Sequence, residues 1–148
     1  MNYTSLKTNI EDICETSFTD DQLAMFTQQA EEKILQAVDI PALRVSDDGP
    51  LAASNKLYTL PTNHLYTYSI AVITDANYEI EHIYGAYPTS IVTAATSWLG
   101  DNASAALLNG ALLEAIRFQK GEPDVLANYE SMYLVSMELL KNLGDGKL

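Results

Sequence analysis

The stretch from Trp98 to the end of the chain constrains the fold most. Two strongly helical segments are joined by Lys120-Gly121-Glu122-Pro123-Asp124, and the chain closes on Leu143-Gly144-Asp145-Gly146-Lys147-Leu148. Gly121 is expected to supply the left-handed residue that ends one helix, and Pro123 suits the first turn of the next, where its missing N–H costs nothing. A helical hairpin with a small-residue tail is predicted. Its first helix, about residues 103–120, carries Leu107, Leu108, Ala111, Leu112, Ala115, Ile116 and Phe118. That apolar face is too wide for a helix with one free side, so the helix is expected at the centre of the core. The second helix, about residues 123–143, runs roughly 30 Å at about 1.5 Å per residue, with Leu126, Tyr129, Met132, Tyr133, Leu140 and Leu143 apolar.

The amino-terminal part reads as two further helices. Leu6, Ile10 and Ile13 recur at helical spacing over residues 4–16, and Ser17 and Phe18 end the pattern. Thr19-Asp20-Asp21-Gln22 then forms a capping-box signature, with two acids favourable at the positive helix end. The stripe Leu23, Phe26, Ala30, Ile34 and Ala37 follows, and Asp39-Ile40-Pro41 marks the stop.

Between residues 43 and 88 the period changes to alternation, so a small antiparallel β insertion is expected. Turns are read at Asp47-Asp48-Gly49-Pro50, Ala53-Ser54-Asn55 and Pro61-Thr62-Asn63, with strand pieces at residues 56–60 and 65–73. Another strand, residues 78–84, places Tyr78, Ile80, His82 and Tyr84 on one face and Glu79, Glu81 and Ile83 on the other, with Asp75-Ala76-Asn77 as a hairpin turn. The predicted fold class is α+β: a helix-dominated bundle of about four helices (residues 4–40 and 97–143) in a single domain, carrying this insertion. A chain of 148 residues supports one core, burying roughly 70% of its unfolded surface.

Composition excludes several classes. At 47% apolar the chain is not disordered, and no run approaches the roughly 18 apolar residues of a membrane span. The first residues lack a signal-peptide pattern, so a soluble, unexported protein is expected. Eight basic against 20 acidic residues give a formal charge of −12, the opposite of what a phosphate-neutralising grip needs, so no sequence-specific nucleic-acid binding is expected. Cys14 is the only cysteine and reads as a small buried hydrophobe.

No residue pattern points to catalysis, a cofactor or a metal. On a strand the carboxylates of Glu79 and Glu81 face away from His82, so they cannot chelate one ion together, and the segment reads as a solvated edge strand with His82 partly packed. His64 is expected to bond backbone in its turn. Gly144-Asp145-Gly146-Lys147 lacks the glycine spacing and following helix of a phosphate loop, and Asp47-Asp48-Gly49 lacks the ligand series of a calcium loop. Two histidines and no nucleophile elbow fix no triad. Tyr66, Tyr68, Tyr78, Tyr84 and Tyr87 concentrate in the β segment, and tyrosine suits interfaces as well as strands.

Six segments, in this order, carry a resemblance: Ala30-Glu31-Glu32-Lys33-Ile34, Ile40-Pro41-Ala42-Leu43-Arg44, Tyr58-Thr59-Leu60-Pro61-Thr62-Asn63-His64-Leu65, Tyr84-Gly85-Ala86-Tyr87-Pro88, Thr96-Ser97-Trp98-Leu99, and the run from Leu107 to Ala115. Together they resemble the head-to-tail adaptor (connector) proteins of tailed bacteriophages. The resemblance implies a non-enzymatic virion protein of the neck that assembles with copies of itself, about twelve, into a ring. Its partners would be the portal protein on one side and tail or nozzle proteins on the other. By the same resemblance Lys141, Asn142, Leu143, Gly144, Asp145, Gly146, Lys147 and Leu148 form a portal-docking tail, and Tyr66, Tyr68, Tyr78 and Tyr84 belong to a tail-facing surface. Such adaptors usually carry a longer stretch where this chain has Thr74-Asp75-Ala76-Asn77. Either this chain is naturally compact there or residues are absent between Ile73 and Tyr78. The rival readings are a receptor- or carbohydrate-binding tail component using the tyrosine-rich sheet, and a small enzyme.

Overall fold

The computed structural model describes residues 1–50, 58–73 and 79–145. Its architecture is α+β. Among the described residues the order is α1 (Tyr3–Cys14), α2 (Asp20–Ala37), a 3-10 turn (Pro41–Leu43), β1 (Arg44–Pro50), β2 (His64–Ile73), β3 (Glu79–Ala86), α3 (Ile91–Ala94), α4 (Trp98–Asn102), α5 (Ser104–Phe118) and α6 (Pro123–Gly144). The chain divides into two compact units, Met1–Val38 with Thr89–Leu148, and Asp39–Pro88. The inserted segment thus begins at residue 39, four residues before the sequence expectation, and packs as a unit of its own.

In the helical unit, local chemistry sets the helix ends. Asn2 caps α1 by accepting from the Ser5 N–H at 2.8 Å. The capping box of α2 closes in both directions: the Gln22 N–H donates to Thr19 Oγ1 at 3.2 Å, and the Thr19 N–H donates to Gln22 Oε1 at 2.9 Å. Leu6, Ile10, Leu23, Phe26, Ala30 and Ile34 are buried, as are Leu107, Ala111, Leu112 and Ala115 of α5. α5 packs against α1, α2, α4 and α6, which is why almost its whole circumference is apolar. Phe26 sits between rings, edge-on to Phe18 at 5.3 Å and tilted to Phe118 at 5.4 Å. Gly110 lets α5 approach its neighbours closely, since a Cβ there would lie 3.1 Å from both Ala30 Cβ and Tyr133 Cε2.

Two details of this unit differ from the sequence reading. Lys120, with φ of 57°, takes the left-handed position that closes α5, and Gly121 does not. Gly121 serves contact instead: its N–H donates to Ile116 O at 3.0 Å, and a Cβ would stand 2.6 Å from Ile116 Cγ2. The short helices α3 and α4 were not anticipated, although Ser90 and Ser97 cap them by accepting from the Val92 and Gly100 N–H groups. Ahead of α3, the buried Glu31 of α2 accepts from Ser90 Oγ at 2.5 Å and from the Ile91 N–H at 2.9 Å. Burial raises the Glu31 carboxyl above its ordinary range, against the lowering effect of those two bonds.

The sheet of the inserted unit has the strand order β1-β3-β2, all antiparallel. Three expectations are corrected here. Asp47-Asp48-Gly49-Pro50 is strand, not turn: it pairs residue by residue with β3, from Asp47 opposite His82 to Pro50 opposite Glu79. Its turn-like residues are tolerated because β1 lies at a sheet edge and Pro50 ends it. The segment read as a solvated edge is the central strand β3, so His82 is fully buried and not partly packed. Tyr58, Thr59 and Leu60 lie outside any strand. β2 and β3 pair antiparallel as expected, from His64 opposite Ala86 to Ile73 opposite Glu79, with register shifts between His64 and Tyr66 and between Thr67 and Ser69. The turn at Ala53-Ser54-Asn55, the strand residues Lys56 and Leu57, and the connection from Thr74 to Tyr78, where a compact chain and a shortened one would be told apart, lie outside the described residues.

Candidate interaction surfaces

The tyrosines assigned to a tail-facing surface occupy different environments. Tyr68 is more than half exposed, its ring 3.9 Å from the Arg44 guanidinium. Arg44 is held in turn by Asp39, with Nη2 2.7 Å from Oδ2, and the Tyr66 hydroxyl donates to the other oxygen of the same carboxylate. Burial pushes the Asp39 carboxyl up, but the bonds from Tyr66 and Arg44 outweigh it and hold the group below the usual carboxylate range. Burial, then the Asp39 bond, raises the Tyr66 phenol. Tyr84 is buried, 4% exposed, and its hydroxyl donates to Asn63 Oδ1 at 3.2 Å. Tyr78 lies outside the described residues. Of the three described, Tyr68 alone presents most of its side chain, with Ile70, Val72 and Ile73 further along β2.

Behind this strand lies a stack that sequence reasoning missed. The rings of His64, His82 and Tyr84 stack, with centroids 5.5 Å apart for the two histidines and 5.0 Å for His82 and Tyr84, and Tyr58 meets His82 edge-on. Thr67 Oγ1 lies 3.0 Å from His64 Nε2 and 3.1 Å from His82 Nε2, so one hydroxyl can donate to one ring and accept from the other. The His64 side chain therefore bonds a side chain, not the backbone its turn suggested. The bond from the Tyr58 hydroxyl to Asp47 Oδ2, 2.8 Å, pushes the Tyr58 phenol up to about 12. The register reveals the cluster: Asp47, His82 and Ile70 lie directly across from one another on the three strands. These contacts fix the strands to the loop before β2, and the buried His82 offers no reacting atom to solvent.

The first four residues of the segment assigned to portal docking are helical. Lys141, Asn142, Leu143 and Gly144 form the last turn of α6 and Asp145 caps it, while Gly146, Lys147 and Leu148 lie outside the described residues. α6 is attached along one side, where Ser136, Met137 and Leu140 are buried and Asn109 Nδ2 donates to Ser136 Oγ at 2.8 Å. The rest of its surface carries large exposed apolar residues: Val125 (44%), Met132 (45%), Val135 (56%), Leu139 (65%) and Leu143 (40%), with Leu134 (61%) apart from them on the opposite flank. Ser136, Leu139, Leu140 and Leu143 line a groove of about 340 Å³ together with Asn102, Ala103, Ser104, Ala105 and Ala106.

Cys14 is half-buried, and burial raises its thiol, which keeps it protonated and weakly nucleophilic. Among the described residues no group of three His, Cys, Asp or Glu side chains is placed to hold a metal ion, and no helix is long and apolar enough to cross a membrane. Compared with family models, curated proteins and solved structures, the chain matches none.

Proposed function

We propose that this chain is a structural protein of a tailed-phage virion, a neck adaptor that forms a ring between portal and tail and lets DNA pass. In this reading α1, α2, α5 and α6 are the four-helix body, residues 39–88 face the tail or nozzle, and the end of α6 with the residues after it docks on the portal. The observation that carries the proposal is the exposure of large apolar side chains on both units, along α6 and along β2, which a protein that works alone in water rarely leaves open. The ordered series of segments shared with the adaptors gives that surface its context. Binding energy would come from apolar and aromatic area buried on assembly, with charge setting register. With a formal charge of −12 on each copy, free subunits repel until a template supplies contacts, and the bore they form lets DNA slide without sticking.

Sedimentation of the purified chain with and without portal rings of the same phage tests this. The chain is expected to run as a monomer alone and to co-sediment with the portal. A chain that ignores the portal and binds a glycan array instead would replace the proposal with the receptor-binding reading.

A further inference from the structure

The exposed face of α6 repeats with the period of a coiled-coil seam. Val125, Met132 and Leu139 are spaced by seven, and Asn128, Val135 and Asn142 fill the intervening positions, also spaced by seven. A 3-4 alternation over this length is the spacing along which a second helix packs at a shallow crossing angle. The groove that Leu139 and Leu143 line with Ala103, Ala105 and Ala106 gives a hole for a partner's side chain. What borders the seam selects the partner. Asp124, Ser131 and Glu138 recur at seven-residue steps along its open edge, and Asp124 and Glu138 are exposed. Lys141 follows Leu139 by two residues and so falls on the opposite side of the helix. A second copy would bring its own Asp124 and Glu138 and another −12 against this edge, which argues against self-pairing.

We infer that the outer face of α6 is a docking surface for an amphipathic helix of another protein, apolar along its seam and lysine- or arginine-rich along its edges. The face has this character whether or not copies of the chain form a ring, so the inference can fail while the adaptor proposal stands. Val125, Met132, Val135 and Leu139 supply the apolar contact, while Asp124 and Glu138 orient the incoming helix and discriminate against acidic ones.

The test uses the full chain and two synthetic three-heptad peptides with leucine at the seam, one with lysine and one with glutamate at the flanking positions. Binding is read by fluorescence anisotropy at about 0.15 M salt. The lysine peptide is expected to bind, and the glutamate peptide to bind at least about tenfold more weakly. The decisive variant is Val135→Asp with Leu139→Asp, whose folding is checked by circular dichroism. It adds two negative charges, so attraction by charge alone would tighten the lysine peptide, whereas loss of the seam weakens it at least about tenfold. Unchanged or tighter binding by that variant overturns the inference, as does failure of the native chain to bind. A dimer of the native chain that Val135→Asp with Leu139→Asp dissolves would make the occupant a second copy and overturn it as well.

Discussion

Glu31 offers a prediction whose size and pH dependence both follow from its surroundings. The side chain is 6% exposed and accepts from the Ile91 N–H and the Ser90 hydroxyl, joining α2 to the start of α3. Replacing it with alanine leaves the buried Ile91 N–H without an acceptor, at a cost of about 1–3 kcal/mol, partly offset because a carboxylate no longer has to be buried. A net loss of about 2 kcal/mol corresponds to a drop in Tm of about 4–8 °C for a chain of this size. Glu31→Gln keeps an acceptor for Ile91 and gives Ser90 a donor, so it is expected within about 1 kcal/mol of the native chain at pH 7. The pH dependence has a definite sign. Burial holds the native carboxyl above its unfolded value of 4.5, so the native state takes up its proton first. The cost of the charge is present at neutral pH. It is relieved as pH falls through the native value, and the relief is complete below 4.5. Asp20 and Asp39, held low by Lys7 and by Tyr66 with Arg44, change stability in the opposite direction on acidification. The readout is therefore the native chain minus Glu31→Gln, which must move in favour of the native chain from pH 7 to pH 4.5. Urea unfolding followed by Trp98 fluorescence and far-UV circular dichroism supplies the numbers. If Glu31→Gln is as unstable as Glu31→Ala at pH 7, the charge is holding α3 in place and the reasoning fails.

Three further outcomes are expected. Lys120→Gly relieves a left-handed backbone that costs a lysine but not a glycine, and should raise stability by about 0.5–1 kcal/mol in urea titrations. Leu107→Ala hollows a position with no exposure at the centre of α5 and should lower stability by about 2–5 kcal/mol, visible as a fall in the urea midpoint. Deleting residues 143–148 removes the exposed Leu143 and the end of α6, so helicity by circular dichroism should persist while co-sedimentation with the portal is lost.

The four long helices were legible in the sequence because their signals are local, whereas α3 and α4, of four and five residues, are too short to show an apolar period. Thr19 and Gln22 lie three residues apart, and Pro123 opens α6 where a first-turn proline belongs. The breadth of the α5 stripe likewise announced its central place. The sheet was legible in outline only, because strand order depends on distant partners. Nothing near Asp47-Asp48-Gly49-Pro50 reveals that it lies beside β3, and with that pairing hidden His82 reads as an edge residue. The docking tail was placed by resemblance alone. The exposed face of α6 was barely visible: only Met132 and Leu143 of it were counted among the apolar residues of the helix, Val125, Val135 and Leu139 were not, and separating the side that meets α5 from the exposed side required the packed structure. Tyr84 shows the limit from the other direction, since a tyrosine in a tyrosine-rich strand can as well be buried against Asn63 as offered to a partner.

An electron-microscope image of portal rings mixed with the chain bears most directly on the adaptor proposal. The account predicts an added ring of density on one face of the portal, absent when the chain lacks residues 143–148. Portal particles that look the same with and without the full chain, at concentrations where both are folded, would contradict it.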